Sequence, residues 1–256
     1  MSVSYTHLDV YKRQHLNHGL RGEESDRDAQ FAAHLCAEYA LEYYTEKISL
    51  STEDTGIEAR AREARYAFFA RACAALHAQK IATAHHAHDN LETVLFHLAR
   101  GSGLRGLCGI PPVRGNIIRP LIFTTKQEIL TFLGEQKLSW VEDSSNQNED
   151  FTRNFIRSQI VPMLCRIHPD AVENSARCTK TLLKDERALC EMAEKWLAAQ
   201  GKEDWIPISA GELSDAVCAR VIRMKFKKIF ENKNQDLDFS HVCAIINLIR
   251  QSKSTG

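Results

Sequence analysis

The sequence lacks the long apolar runs that membrane helices require and the cysteine pattern of disulfide-bonded scaffolds. No apolar stretch approaches the roughly 18 residues of a membrane span, and no apolar signal-peptide core is evident. The eight cysteines are irregularly spaced, and no two of them form a C-x-x-C pair. We therefore expect reduced thiols in a cytoplasmic protein with no membrane partner, and neither a disulfide framework nor a zinc knuckle.

An excess of basic charge is also missing, because 33 Lys and Arg residues balance 33 Asp and Glu residues. The overall charge therefore gives no sign of a nucleic-acid partner, and any RNA must be bound by local basic patches. The 256 residues suffice for one large domain or two small ones with an ample core.

Glycine is missing from the start of the chain, where the first glycine is Gly19. Residues 1–14 mix polar, aromatic and basic side chains without the period of a strand or a helix. We interpret these residues as a foreign or mis-joined segment, and we place an N-terminally truncated first domain at 15–165.

Apolar periodicity predicts an α/β domain followed by a smaller all-α domain at 166–256, truncated at its C-terminus. Helices are predicted at 23–41, 57–78, 89–100 and 126–136, and strands at 43–50 and 80–84. This alternation predicts a parallel sheet with helices on both faces. Strand signals nearly vanish after residue 151, where helices are predicted at 152–166, 170–200, 210–231 and 238–250.

The most informative stretch is the turn from the strand at 80–84 into the following helix. The turn carries His85 and His86, and the helix begins with Asp89 and Glu92. At the carboxyl edge of a parallel sheet, such a turn is where ligands bind. The two acids are three residues apart and share a helical face, near the positive end of the helix dipole. They are candidates for binding Mg²⁺ or the ammonium group of an amine.

A basic stretch lies in the helical domain. Arg220, Arg223, Lys225, Lys227 and Lys228 alternate with apolar residues, so the basic side chains are expected on an exposed helix face. Such a face suits the RNA backbone, although a simply solvated surface is the commoner outcome.

Seven stretches occur in an order and spacing that resemble the tRNA(Ile)-lysidine synthetase family, within the PP-loop superfamily of ATP pyrophosphatases. They are HLNHGLR from His15, AREARY from Ala61, AHHAHDNLET from Ala84, RGSGLRGLCGIPP from Arg100, IIRPL from Ile117, WVEDSSN from Trp140 and RNFIRSQIVP from Arg153. The resemblance is dense from about 15 to 165 and loose from there to about 250.

The resemblance implies an ATP-dependent ligase that acts on the wobble cytidine of a tRNA(Ile) with a CAU anticodon. ATP would adenylate the C2 carbonyl oxygen of the base, and the side-chain amine of free L-lysine would attack C2. The expected cofactors are ATP and Mg²⁺, and the expected partners are tRNA(Ile), lysine and ATP. A homodimer is left open.

The resemblance also implies roles for individual residues. Asp89, Glu92 and Arg65 would be catalytic, and Asp89 would also bind the metal. Contacts to ATP or substrate would come from His15, His18, Arg21, His85, His86, Arg100, Gly101, Arg153, Asn154 and Arg157, and contacts to RNA from Arg220, Arg223, Lys227 and Lys228.

Each role competes with a structural interpretation of the same residue. Arg65 belongs to a row of arginines that is usually a solvated helix face. Arg100-Gly101 is typical of a helix C-terminus. Arg153 and Arg157 would serve as well in interdomain salt bridges as on phosphates. One histidine of the pair is as well explained by packing at the sheet edge.

The sequence departs from the family at two positions. The SGGxDS loop that cradles the ATP pyrophosphate is absent, and His88 stands where the family usually has an aspartate. These departures leave an inactive tRNA-binding fragment as one alternative, and another PP-loop tRNA-modifying enzyme, such as a thiolase, as a second. A metallo-β-lactamase-like HxHxDH site is rejected because Asp89 follows His88 one residue too early.

Overall fold

The computed structural model describes residues 12–17, 23–48, 57–141, 151–201, 205–230 and 237–254. Their contacts divide them into two compact units. The first holds the described residues up to His85, Pro112–Leu121 and those of 127–147. The second holds His86–Pro111, Ile122–Lys126 and the described residues after 148. The domain limits at 165 and 166 stay a prediction, because packing joins segments from both sides of that point.

A parallel strand pair organises the first unit. Strand β1 (Lys12–Asn17) pairs in parallel with β2 (Glu42–Lys47), and helix α1 (Glu23–Glu38) connects them. Helix α2 (Ile57–Ala75) adds the fully buried Phe68, whose ring stacks on Tyr44 with 5.8 Å between centroids. Residues 12–14 thus pair within the sheet, and the foreign origin of 1–14 stays a prediction.

A second, three-stranded sheet completes this unit. Strand β5 (Ile117–Ile118) lies between β3 (Ile81–Ala82), to which it is parallel, and β4 (Val113–Arg114), to which it is antiparallel. Helix α5 (Lys126–Glu135) follows. The parallel pairings and intervening helices confirm the predicted α/β class.

The second unit is helical. Its elements are α3 (Ala87–Ala99), α4 (Leu104–Leu107), α6 (Phe151–Phe155), a π-helical turn (Ile156–Ile160), α7 (Val161–Ile167), α8 (Ala171–Ala199), a 3₁₀ turn (Ile208–Glu212), α9 (Asp215–Ile229) and α10 (Phe239–Ser254). The helical part that the sequence predicts after residue 151 is confirmed. Within the described ranges, no helix is long and apolar enough to cross a membrane.

Apolar side chains from distant parts of the chain form the core of this unit. One cluster joins Leu91 of α3 to Ile156, Val161 and Val172, so the helix after the histidine turn packs against the helices from 151 onward. A second cluster joins α9 to α10 through residues such as Ile222 and Ile246. The first cluster fixes α3 relative to the π-helical turn, which positions the site described next.

Candidate functional site at the start of α3

The chain leaves β3 and reaches α3 through the two adjacent histidines. His85 closes the first unit, where its Nδ1 lies 2.9 Å from the hydroxyl of Thr83. His86 has an extended backbone and is the N-cap of α3. Its backbone N–H donates to Asp89 Oδ2 at 2.9 Å, so this carboxylate satisfies a donor at the helix start.

Asp89 has cationic or potentially cationic neighbours besides this cap. The Nδ1 of His86 lies 3.4 Å from Asp89 Oδ2, and Arg157 Nη2 lies 3.7 Å from Asp89 Oδ1. The Nδ1 atom is buried and makes no hydrogen bond. Each oxygen of the Asp89 carboxylate therefore faces a side chain that carries or can carry positive charge.

Glu92 lies one turn further along α3 and is almost completely buried. Arg157 donates from Nε to Glu92 Oε1 at 2.8 Å and from Nη2 to Oε2 at 3.0 Å, which is a bidentate ion pair. One guanidinium thus reaches both Glu92 and Asp89, and the prediction that these two acids share a face is confirmed. Arg157 forms the expected salt bridge, but it does so inside one unit.

A π-helical turn presents Arg157 to these acids. The turn runs from Ile156 to Ile160, and the N–H of Val161 donates to the carbonyl of Ile156, five residues earlier. Pro162, which has no N–H, follows directly. Ile156 is buried in the core beside Leu91, which anchors the turn against α3. Single π-helical turns inside α-helices are frequent at functional sites.

His88 is used as a hydrogen-bond acceptor. Its Nδ1 accepts the backbone N–H of Lys126 at 3.4 Å, and its ring meets His86 edge-on with centroids 5.5 Å apart. Burial lowers the pKa of His88, the charge of His86 lowers it further, and Asp89 and Glu173 oppose this. The imidazole is therefore neutral at pH 7. A neutral acceptor thus stands at position 88, where the family resemblance leads us to expect a charged aspartate.

Asn90 is a residue of this site that the sequence reasoning missed. Its side chain is 1% exposed, and its Oδ1 accepts the N–H of Ile110 at 2.7 Å. Gly109 has φ +67°, and a Cβ there would lie 2.2 Å from Asn90 Oδ1. This contact fastens the loop that precedes Pro111 to the helix of the two acids. The sequence signal that could have identified Asn90 is an amide residue next to Asp89 in an otherwise apolar helix.

The C-terminal end of α3 carries a second group of predicted residues. The Arg100 guanidinium lies over the Phe96 ring at 5.0 Å, and Gly101 adopts φ +71° after the helix. Burial lowers the pKa of His97, and the charges of Arg100 and Arg153 lower it further. The helix-end interpretation of Arg100-Gly101 is confirmed. Phosphate contacts for Arg100, Arg153 and Asn154 stay predictions.

The remaining predicted catalytic, ATP and substrate residues belong to the first unit or lie outside the described residues. His15 lies in β1, where burial lowers its pKa, and Arg65 is exposed on α2; both belong to the first unit. His18 and Arg21 lie outside the described residues. Their roles stay predictions.

The basic stretch on α9 is less exposed than the sequence predicts. Arg220 pairs with Glu186 of α8 and donates to the carbonyl of Ala216 at 2.8 Å, and Arg223 donates to the carbonyl of Leu237. Lys225 is buried. The predicted exposed face is therefore wrong for these three residues, because partners inside the unit bind or cover them. Lys227 and Lys228 are exposed.

The metal ligands available at this site are few. Among the described residues, no group of three or more His, Cys, Asp and Glu side chains could hold a metal ion. Mg²⁺ commonly takes only one or two protein carboxylates, with phosphate oxygens and water completing its shell. Asp89 alone at this site has a partly exposed carboxylate without a bidentate ion pair, so the residues fit only an ion that arrives with phosphates.

Comparison with known proteins agrees with the motifs. A family model for the PP-loop domain matches residues 5–164. The tRNA(Ile)-lysidine synthase of Geobacter sulfurreducens is 35% identical over 100% of this chain and 56% of its own length. That of Symbiobacterium thermophilum is 43% identical over 73% of this chain and 40% of its own. The chain spans about half the length of the curated relatives it matches.

A solved structure agrees with the fold. The U34-tRNA thiolase NcsA of Methanococcus maripaludis, solved with its [4Fe-4S] cluster, superposes with a TM-score of 0.54. It is 18% identical and covers 67% of this chain and 60% of its own, which supports the fold alone. The resemblance that the seven motifs predict is confirmed by the relatives above.

Proposed function

Because the chain belongs to the PP-loop family, we propose that it acts as a tRNA(Ile)-lysidine synthetase in the cytoplasm. In this proposal ATP transfers its AMP group to the C2 oxygen of the wobble cytidine in a CAU anticodon, and pyrophosphate leaves. The side-chain amine of L-lysine then attacks C2, and AMP leaves with that oxygen. A carbon–nitrogen bond replaces the carbon–oxygen bond.

The observation that carries the proposal is the convergence of Asp89 and Glu92 on one cation. Both carboxylates already contact a positively charged group, at 3.7 Å and 2.8 Å respectively, so their geometry suits the ammonium of lysine. Glu92 is buried, which strengthens its attraction for a cation because little water competes. A carboxylate of this pair accepts the proton that the ammonium must lose before its nitrogen can attack.

Asp89 is the residue we assign to Mg²⁺. When bound with ATP, the ion would neutralise phosphate charge in the adenylation step. The His86 N–H fixes the carboxylate of Asp89 at the helix start, with Oδ1 on the side of Arg157. In this arrangement Glu92 would contact the amine alone, and Asp89 would contact both the amine and the phosphate-bound ion.

The alternatives are less well supported. An inactive tRNA-binding fragment is not favoured by relatives that are tRNA(Ile)-lysidine synthases at 35–43% identity. A thiolase activity has only the 18% identical structure in its favour, and that likeness shows the fold alone. The sequence contains no C-x-x-C pair for sulfur chemistry.

Transfer of radiolabelled L-lysine to a tRNA(Ile) transcript with a CAU anticodon tests the proposal. Because no SGGxDS loop occurs in residues 1–14, the assay uses this chain and a chimera that places the N-terminal segment of the Symbiobacterium relative before His15. We expect ATP-dependent labelling by the chimera, and none when uridine replaces the wobble cytidine. A folded chimera that labels neither transcript would contradict the proposal.

A further inference from the structure

Glu92 and Asp89 hold a cation supplied by the chain itself. Only 7% of the Glu92 side chain is exposed, and both of its oxygens contact the guanidinium of Arg157. The same guanidinium is 3.7 Å from Asp89. A lysine ammonium bound to these carboxylates would lie next to the guanidinium of Arg157. Because both groups are positively charged, they cannot bind the two carboxylates at the same time.

We propose that Arg157 occupies the ammonium position in the absence of lysine, and that lysine binds by displacing it. This inference rests on the proposed function. Arg157 is then a specificity-determining residue, because only a ligand that brings its own positive charge can replace the guanidinium. An apolar analogue of the same length would leave the buried charge of Glu92 without a partner.

The surroundings of Arg157 permit the exchange. Its side chain is 35% exposed, so the guanidinium borders solvent while the carboxylate it binds does not. The backbone is held by two buried residues, Ile156 as the first residue of the π-helical turn and Val161 directly after it. The side chain can therefore leave Glu92 by rotation about its own bonds, with the turn itself in place.

Arg220 and Glu186 provide a matched comparison within the same unit. This ion pair is partly buried on both sides, with 16% and 15% of the side chains exposed, and Arg220 also donates to the carbonyl of Ala216. Its guanidinium is less exposed than that of Arg157, and it also donates to a backbone carbonyl of its own helix. We therefore expect no ligand to replace Arg220.

Lysine binding to Arg157→Gln tests the exchange without requiring catalysis. If Arg157 fills the position in about nine molecules of ten, its removal lowers the apparent Kd for lysine roughly tenfold. Titration calorimetry should show this tighter binding for L-lysine and no binding of norleucine, which lacks the ammonium group. The double variant Glu92→Gln/Arg157→Gln should not show the tighter binding, and Arg220→Gln should bind lysine as the unmodified chain does.

Thermal unfolding of the same variants gives a second measurement. Arg157→Gln leaves a buried carboxylate unpaired, so its Tm should fall, and L-lysine should raise that Tm more than it raises the Tm of the unmodified chain. Norleucine should not raise it. A lysine affinity of Arg157→Gln equal to or weaker than that of the unmodified chain would overturn the inference and leave Arg157 as an ordinary structural partner.

The unmodified chain offers a measurement that does not depend on the folding of a variant. The side-chain Nε–H signal of Arg157, assigned by its loss in Arg157→Lys, should shift as L-lysine is added and stay fixed with norleucine. A fixed signal while lysine binds would overturn the exchange. Failure of tRNA labelling by the chimera would instead contradict the proposed function, so the two failures are distinguishable.

Discussion

The amide oxygen of Asn90 occupies the space that a side chain on Gly109 would need. The two residues lie on α3 and on the loop after α4, and the same oxygen accepts the N–H of Ile110 at 2.7 Å. The loop therefore depends on a glycine for its left-handed backbone and for its close approach to the helix.

Gly109→Ala should destabilise the protein more than Gly115→Ala does. Both glycines have φ above +60°, which costs an alanine about 1–2 kcal/mol. Of the two, only Gly109 has a neighbour within 4 Å of its Cβ position, and the overlap with Asn90 adds about 1–3 kcal/mol. Urea unfolding measures the difference. An equal fall in unfolding free energy for the two variants would contradict the packing argument.

Asp89→Asn should raise the KM for lysine in the chimera by roughly tenfold to a hundredfold. The amide oxygen can still accept the His86 N–H, so the helix start is kept while the charge is lost. Glu173→Gln is the control, because Glu173 is an exposed acid whose charge also acts on His88. Steady-state kinetics with varied lysine separates them. An unchanged KM for Asp89→Asn would remove Asp89 from the lysine site.

The stability of the protein should fall as the pH is lowered through the histidine range. Burial lowers the pKa of His97 from 6.5, as it does for His15 and His88, so the unfolded chain binds more protons than the folded one. This contribution to stability is complete above pH 6.5 and is lost as the pH falls below it.

His97→Gln should make the pH dependence shallower. Unfolding in urea at several pH values between 5 and 8 measures the slope, and glutamine keeps a hydrogen-bonding group near Ser102. A slope that His97→Gln does not alter would mean that this imidazole titrates alike in both states.

Double replacement of Lys227 and Lys228 by alanine should weaken tRNA binding and reduce its salt slope by about one unit for each phosphate that is no longer neutralised. Both lysines are exposed on α9, whereas Arg220 is bound to Glu186. Arg220→Ala should instead lower the free energy of unfolding and leave the slope unchanged. Filter binding of tRNA at two salt concentrations measures this slope. An unaltered slope for the double lysine variant would mean that Lys227 and Lys228 do not contact RNA.

Elements were predictable where the signal is local. The apolar period gave 126–136 for a helix observed at Lys126–Glu135, and 170–200 for one observed at Ala171–Ala199. The shared face of Asp89 and Glu92 followed from a spacing of three. Each of these rests on neighbours within one or two helical turns.

Partners distant in the chain were not predictable in this way. Arg157 meets Glu92 across 65 residues, and Arg220 meets Glu186 across 34. A basic residue on a predicted helix has the same local pattern whether it meets solvent or a buried carboxylate. The partner of such a basic residue depends on how the helices pack, and the packing depends on the apolar residues of both helices.

The π-helical turn also fixes how many residues can lie between Phe155 and Pro162. Each residue in an α-helix advances the direction of a side chain by about 100°. Deleting one residue from Ile156–Ile160 would return this stretch to ordinary helical geometry and rotate the guanidinium of Arg157 away from Glu92. Substitutions at the exposed positions Ser158 and Gln159 are therefore tolerable where insertions and deletions are not, and length becomes a property that natural variation must preserve.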